Sequence, residues 1–112
     1  MARILVVDDD VALRALMVRA LLRAGHDAVD VGTVAQALTL RDQPFQLLVV
    51  DHRLPDGTGQ DVLAAFPAVP AVRVSGFSIY ADLHKPFTND QLIEAVHHRL
   101  GMRSSRAFPE ES

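Results

Sequence analysis

Two runs of four aliphatic residues, Ile4-Leu5-Val6-Val7 and Leu47-Leu48-Val49-Val50, each stop abruptly at acid. Asp8-Asp9-Asp10 follows the first and Asp51 follows the second. A strand that is apolar at every position is buried on both faces, which is the condition inside a parallel sheet covered by helices on both sides. Two such strands ending in carboxylates constrain the chain more than any other feature. They bring acid together at the carboxyl edge of one sheet, where open α/β sheets hold their ligands.

The segments between these runs fit helices and further strands. Leu13, Leu16, Met17, Ala20, Leu21 and Ala24 follow the i, i+3, i+4, i+7 spacing of an amphipathic helix, and Gly25 closes it. Ala28-Val29-Asp30-Val31 is half polar and reads as an edge strand. Thr33 caps a second helix carrying Val34, Ala37, Leu38 and Leu40, which ends at Asp42-Gln43-Pro44. Residues 52–59 carry Pro and Gly turn signals, and a third helix turns Val62, Leu63 and Phe66 inward before Pro67. Val72-Arg73-Val74-Ser75 is a strand running into Gly76. Thr88-x-x-Gln91 is a capping box opening the last helix, with Leu92, Ile93, Val96 and Leu100 as its buried stripe and Gly101 as its end. Strands alternating with helices give βαβ units, hence an α/β fold with a doubly wound parallel sheet. At 112 residues the chain is one domain, expected over 1–101 with a flexible polar tail over 102–112.

Composition removes several classes of function. Apolar residues make up 49% of the chain and charged residues 22%, enough for a core and too apolar for disorder. Eleven basic against fourteen acidic side chains leave a net charge of −3 with no basic stripe, so no nucleic-acid partner is expected. The chain has no Cys, which excludes disulfides, thiolate metal sites and Cys nucleophiles. No apolar run is long enough to span a membrane, and Met1-Ala2-Arg3 leads straight into a strand rather than a signal peptide. The expectation is a soluble cytoplasmic protein.

The acid at the sheet rim needs a counter-charge, because converging carboxylates repel. Oxygen ligands without His or Cys favour Mg²⁺ over Zn²⁺. The chain writes its positive charge as Arg ten times and as Lys once, and that single Lys85 stands before Pro86-Phe87 at the expected end of a fifth strand. Ser75 ends the fourth strand and adds a hydroxyl donor. Carboxylates, Mg²⁺, an ammonium and a hydroxyl suit the oxygens of a phosphoryl group. No nucleotide-binding glycine loop is present, and Gly57-Thr58-Gly59 reads as turn chemistry. The phosphoryl group is therefore placed on the protein itself, with Asp51 as acceptor. Each element alone has a plainer role: an Asp run caps a helix, Ser75-Gly76 makes a turn, and Lys85 is a surface charge. The five His are scattered; His97 and His98 face different sides of a helix, and His52 and His84 are read as packing or surface residues.

Val6-Val7-Asp8-Asp9, then Val49-Val50-Asp51-His52-Arg53-Leu54-Pro55-Asp56-Gly57-x-Gly59, then Ser75, then Lys85-Pro86-Phe87 resemble the receiver (CheY-like) domain of two-component response regulators. The resemblance covers about residues 2–100 and implies a flavodoxin-like (βα)5 fold with strand order 2-1-3-4-5. It implies that Asp51 accepts a phosphoryl group from a histidine kinase, a phosphotransfer protein or a small phosphodonor. It further implies Mg²⁺ held by Asp9, Asp51 and the Arg53 backbone carbonyl, with Asp8 acting mainly through water. Lys85 would pair with the phosphoryl group and Ser75 would hydrogen-bond to it. Such a phosphoprotein is not an enzyme toward other molecules, since it catalyses only its own phosphorylation and dephosphorylation, and it signals through a downstream protein target.

The sequence departs from the family in one place. Only residues 76–84 separate Ser75 from Lys85, whereas a parallel crossover with its helix needs about 10–12 residues or more. The fourth helix is thus expected to be reduced or absent, leaving apolar groups on one sheet face uncovered. A second copy of the chain (a homodimer through that face) or the Ala107-Phe108-Pro109 tail is expected to cover it. Asp82 also stands where receivers carry an aromatic residue three positions before the Lys, with Tyr80 as a substitute for it. Two readings follow: a stand-alone phosphorylated receiver, favoured by the full Asp8, Asp9, Asp51, Ser75 and Lys85 set, and a phosphorylation-independent interaction or dimerisation module, favoured by Asp82 and the lost helix. A Mg²⁺-dependent phosphatase is a distant third, because Arg53 stands where its second catalytic acid would be.

Overall fold

The computed structural model describes residues 1–76 and 81–101. Five strands, β1 (Arg3–Val7), β2 (Asp27–Val31), β3 (Leu47–Asp51), β6 (Ala71–Ser75) and β7 (Leu83–His84), pair in parallel in the order β2-β1-β3-β6-β7. That is the flavodoxin-like receiver order expected from the sequence, with β6 and β7 as its fourth and fifth strands. The chain leaves β1 toward β2 on one side and returns to β3 on the other. The carboxyl ends of β1 and β3 therefore lie side by side at this reversal, with Val7 opposite Val50 in register.

Helices α1 (Val11–Arg23) and α4 (Asn89–Arg99) cover one face, and α2 (Val34–Leu38) and α3 (Gly59–Ala65) the other. Alternation along β1 sends Ile4 and Val6 into the first core with Met17, Leu21, Leu92 and Val96, and Leu5 and Val7 into the second with Ala37, Val62 and Phe66. Each of these fully buried β1 side chains contributes about 1.5–3 kcal/mol by leaving water. Thr33 and Thr88 cap α2 and α4 as expected, and Gly25 and Gly101 end α1 and α4 at positive φ.

Three local readings are corrected. Leu16 is 55% exposed and Ala24, just past the end of α1, is exposed too, so the buried stripe narrows to Met17, Ala20 and Leu21 with Leu13 half-buried. Residues 52–59 hold a short antiparallel ribbon, β4 (Arg53–Leu54) with β5 (Gly57–Thr58), where only a loop was expected. Thr58 and Asp61 form a capping box at α3, a signal that the turn residues around it had masked.

Among the described residues no helix lies between β6 and β7. The Asp82 N–H donates to the Arg73 carbonyl and the Lys85 N–H to the Ser75 carbonyl, so the fifth strand zips directly onto the fourth. Among the described residues, β6 and β7 leave no large apolar side chain exposed, against the expectation of an apolar face there. Val72 and Val74 point into the α1–α4 core, and alternation leaves Arg73 and Ser75 on the other face, with the Arg73 guanidinium paired to Asp82 at 3.5 Å. The exposed large apolar residues among those described are Met1, Val11, Leu16 and Leu22, none of them on β6 or β7. Tyr80 and the tail over 102–112, Phe108 included, lie outside the described residues. No helix among the described residues is long and apolar enough to cross a membrane.

Candidate functional site

The strand ends bring Asp8, Asp9 and Asp51 together, with one carboxylate oxygen of each within 4.8 Å of the others. Asp8 follows β1 and is fully buried, and its Oδ2, paired in charge with Lys85, has no hydrogen-bond partner and is left for a further cation. Its N–H donates to the Val31 carbonyl at 3.1 Å, and its Oδ1 accepts the Asp10 N–H at 2.9 Å. Its Oδ2 lies 3.1 Å from Lys85 Nζ, and its carbonyl accepts from Arg14 Nη1 at 2.8 Å. Asp51 ends β3 and is 8% exposed, with its Oδ2 3.3 Å from the same Lys85 ammonium. Asp9 is exposed at the mouth. Lys85 reaches the pair because its N–H is tied to the Ser75 carbonyl at 3.0 Å, which aligns the end of β7 with the rim.

Three carboxylates face one ammonium, so the cluster carries an excess of two negative charges when all are ionised. Burial, and then the Asp8 charge, push the Asp51 carboxyl above its usual range, and Lys85 partly opposes the rise. Burial would lower the Lys85 ammonium, but Asp8 and then Asp51 outweigh it and the net shift is upward. An all-oxygen donor set with unbalanced negative charge at the mouth of a cleft fits a hard divalent cation.

The other expected site residues lie close by. Ser75 ends β6 and is 2% exposed. It lines, with Asp51, His52, Gln60 and Leu63, a cavity of about 240 Å³ between α3 and β6. Arg53 is exposed at the start of the β4–β5 ribbon, two residues beyond Asp51, opposite Thr58. His52 and His84 are both exposed.

Gly59 and Asp56, which the sequence marks only as turn and motif residues, support the site. Gly59 passes so close to the acceptor strand that a Cβ there would sit 2.5 Å from the Asp51 carbonyl oxygen. Its N–H donates to the His52 carbonyl at 2.9 Å, which closes the loop over Asp51. Asp56, read as a turn residue, reaches across to cap α2, accepting the N–H groups of Val34 at 2.8 Å and Ala35 at 3.0 Å. Those two bonds hold its carboxyl below the usual range. Nothing local in the sequence marks a cap supplied from 22 residues away.

No family model matches the chain. It is 35% identical to the DNA-binding response regulator MtrA of Mycolicibacterium paratuberculosis, over 88% of this chain and 51% of that one. It is 29% identical to the DNA-binding transcriptional regulator NtrC of Azospirillum brasilense, over 95% of this chain and 26% of that one. The chain thus spans about half, or less, of the length of the curated relatives it matches. A solved CheY-like response regulator receiver domain protein from Methanospirillum hungatei superposes with a TM-score of 0.82 at 26% identity, covering 90% of this chain and 94% of that one.

Proposed function

We propose that this chain, a response regulator receiver domain of two-component systems, takes a phosphoryl group onto Asp51 in a Mg²⁺-dependent reaction. The observation that carries this reading is the Lys85 ammonium held between Asp8 and Asp51, beside a third carboxylate. An Asp51 oxygen attacks phosphorus, forming an O–P bond as the N–P bond of a donor phosphohistidine breaks. The bonding pair leaves with the imidazole nitrogen, which takes up a proton. A small acyl phosphate serves in the same way, with carboxylate as the leaving group.

This chain's residues divide the work. Asp8, Asp9, Asp51 and the Arg53 carbonyl would hold the cation, which when bound neutralises charge building on the phosphoryl oxygens. Lys85 supplies the second positive charge, and the Ser75 hydroxyl the hydrogen bond that the new phosphoryl group draws on. Attack of water on phosphorus breaks the Asp51 O–P bond and releases inorganic phosphate. No other reaction is proposed. The partners are a histidine kinase or phosphotransfer protein and a downstream protein target, met in the cytoplasm.

The test is intact mass after incubation with Mg²⁺ and an acyl phosphate. The wild type should gain one phosphoryl group, and Asp51→Asn should gain none. Failure of the wild type with both the acyl phosphate and a cognate kinase would sink the reading. One observation favours a second reading, an interaction module that works without phosphorylation. Asp82 is fixed to β6, its Oδ2 accepting the Arg73 N–H at 2.8 Å, where the aromatic switch residue of receivers would move. Target binding that is equal for wild type and Asp51→Asn would select it.

A further inference from the structure

Asp9 is the weak point of the cluster. Among the described residues no side chain or backbone N–H holds its carboxylate, whereas Asp8 is held at its N–H, its carbonyl and its Oδ1. Its direction therefore depends on the peptide plane it shares with Asp8. That plane is fixed at the Asp8 carbonyl by Arg14, the fourth residue of α1. The guanidinium uses its fork: Nη1 donates to the Asp8 carbonyl at 2.8 Å and Nε to Asp30 Oδ2 at 2.7 Å. Gly32 makes room, because a Cβ there would stand 2.6 Å from Arg14 Nη1. A cation near the start of a helix opposes the helix dipole, so Arg14 needs another reason to stand there.

Resting on the proposed Mg²⁺ site, we infer that Arg14, held by Asp30 on the edge strand, is a positioning residue that aims Asp9 at the divalent cation through the Asp8–Asp9 peptide. The brace runs Asp30, Arg14, Asp8 carbonyl, Asp9 carboxylate, and it links the β2 edge of the sheet to the mouth of the site. Partners of this kind are typically worth 10–100-fold in metal affinity.

Charge and positioning predict opposite signs here, which makes the inference testable. Removing a positive charge beside three carboxylates should, by Coulomb's law alone, tighten cation binding. Loss of the brace should weaken it. Mn²⁺, another hard divalent cation, is titrated into the full chain and free Mn²⁺ is read by electron paramagnetic resonance, with melting temperatures recorded for each variant. Arg14→Met should raise the Kd for Mn²⁺ about tenfold or more. Arg14→Lys keeps the charge but not the fork and should also weaken binding. Gly32→Ala, which displaces Nη1 while leaving both charges, provides a variant independent of Arg14 itself. Unchanged or tighter binding in folded Arg14→Met overturns the inference, as does a melting shift with no change in Kd. Absence of Mn²⁺ binding by the wild type would instead overturn the metal site on which it rests.

Discussion

The Lys85 ammonium stands 3.3 Å from the Asp51 carboxylate and belongs equally to Asp8 at 3.1 Å, so one cation serves two buried anions from neighbouring strands. It is the single Lys of the chain. An ammonium on a long stem can sit between two acceptors, whereas a planar Arg fork prefers one carboxylate face-on.

Lys85→Met should therefore leave two buried carboxylates facing each other. The expected loss of stability without metal is about 1–3 kcal/mol at pH 7.5, the scale of an ionic hydrogen bond removed from one side. The deficit should be smaller at pH 5, because the Asp51 carboxyl, which burial and Asp8 hold above the usual carboxylate range, gives up its charge more readily there. Urea unfolding of wild type and variant at the two pH values checks both statements. A deficit that is the same at both would mean that Lys85 contributes packing rather than charge.

Asp51→Asn should act in the opposite direction. Burial and Asp8 raise the Asp51 carboxyl in the fold, so the folded state holds this proton more tightly than the unfolded chain does. Stability from this group then falls as pH rises from the unfolded carboxylate range through the folded pKa, and above it the penalty is complete. The metal-free Asn variant should melt higher than wild type at pH 7.5, by roughly 4–8 °C for each kcal/mol relieved. Saturating Mg²⁺ should reverse the order, since ion at about 100 times its Kd adds roughly 2.7 kcal/mol to the form that binds it. Calorimetric melts with and without Mg²⁺ provide the comparison.

Ile4 to Val7 and Leu47 to Val50 read as strands of a doubly covered parallel sheet, which brings their trailing aspartates to one edge. Asp8 and Asp51 were legible for that reason. The short interval over residues 76–84 likewise betrayed the reduced fourth helix. Its consequence was not legible, because which face of β6 stays uncovered depends on the register that sends Val72 and Val74 toward α4. Arg14 and Asp56 were invisible for a different reason. Each acts on a backbone group of another element, and hydrogen bonds to backbone leave no residue-type signature at the receiving end.

Asp56 offers a local test of such a contact. Asp56→Ala should leave the Val34 and Ala35 N–H groups at the start of α2 without their acceptor. Amide exchange at those two positions should accelerate selectively, with the Thr33 cap of Gln36 keeping the next turn in place. Because the Asp56 carboxyl is held below its usual range, its contribution is present above the unfolded carboxylate pKa and is lost as pH falls through the folded one. Exchange in the wild type should therefore approach that of the variant only in acid. Equal exchange at neutral pH would show that the capping bonds carry no protection.

A histidine pair joins the amino terminus to α4. His26 is 4% exposed, its Nδ1 accepts the Ala2 N–H at 3.0 Å, and its Nε2 lies 3.1 Å from Nε2 of His97 on α4. A backbone N–H can only donate, so neutral His26 carries its proton on Nε2 and gives it to His97, which must carry its own on Nδ1. A second proton on His26 would meet the Ala2 N–H head-on. Burial first, then His97 and the amino terminus, lower its pKa accordingly. The unfolded chain therefore binds a proton near pH 6.5 that the folded chain refuses, and stability should fall as pH drops below that value. The slope from this one group is at most about 1.4 kcal/mol per pH unit. Between pH 7 and pH 5 the urea midpoint of wild type should drop relative to that of His26→Gln, which has no proton to take up there. Imidazole nitrogen shifts at pH 7.5 should report the Nε2–H form for His26 and the Nδ1–H form for His97, and the reverse assignment would break the chain of hydrogen bonds on which the slope depends.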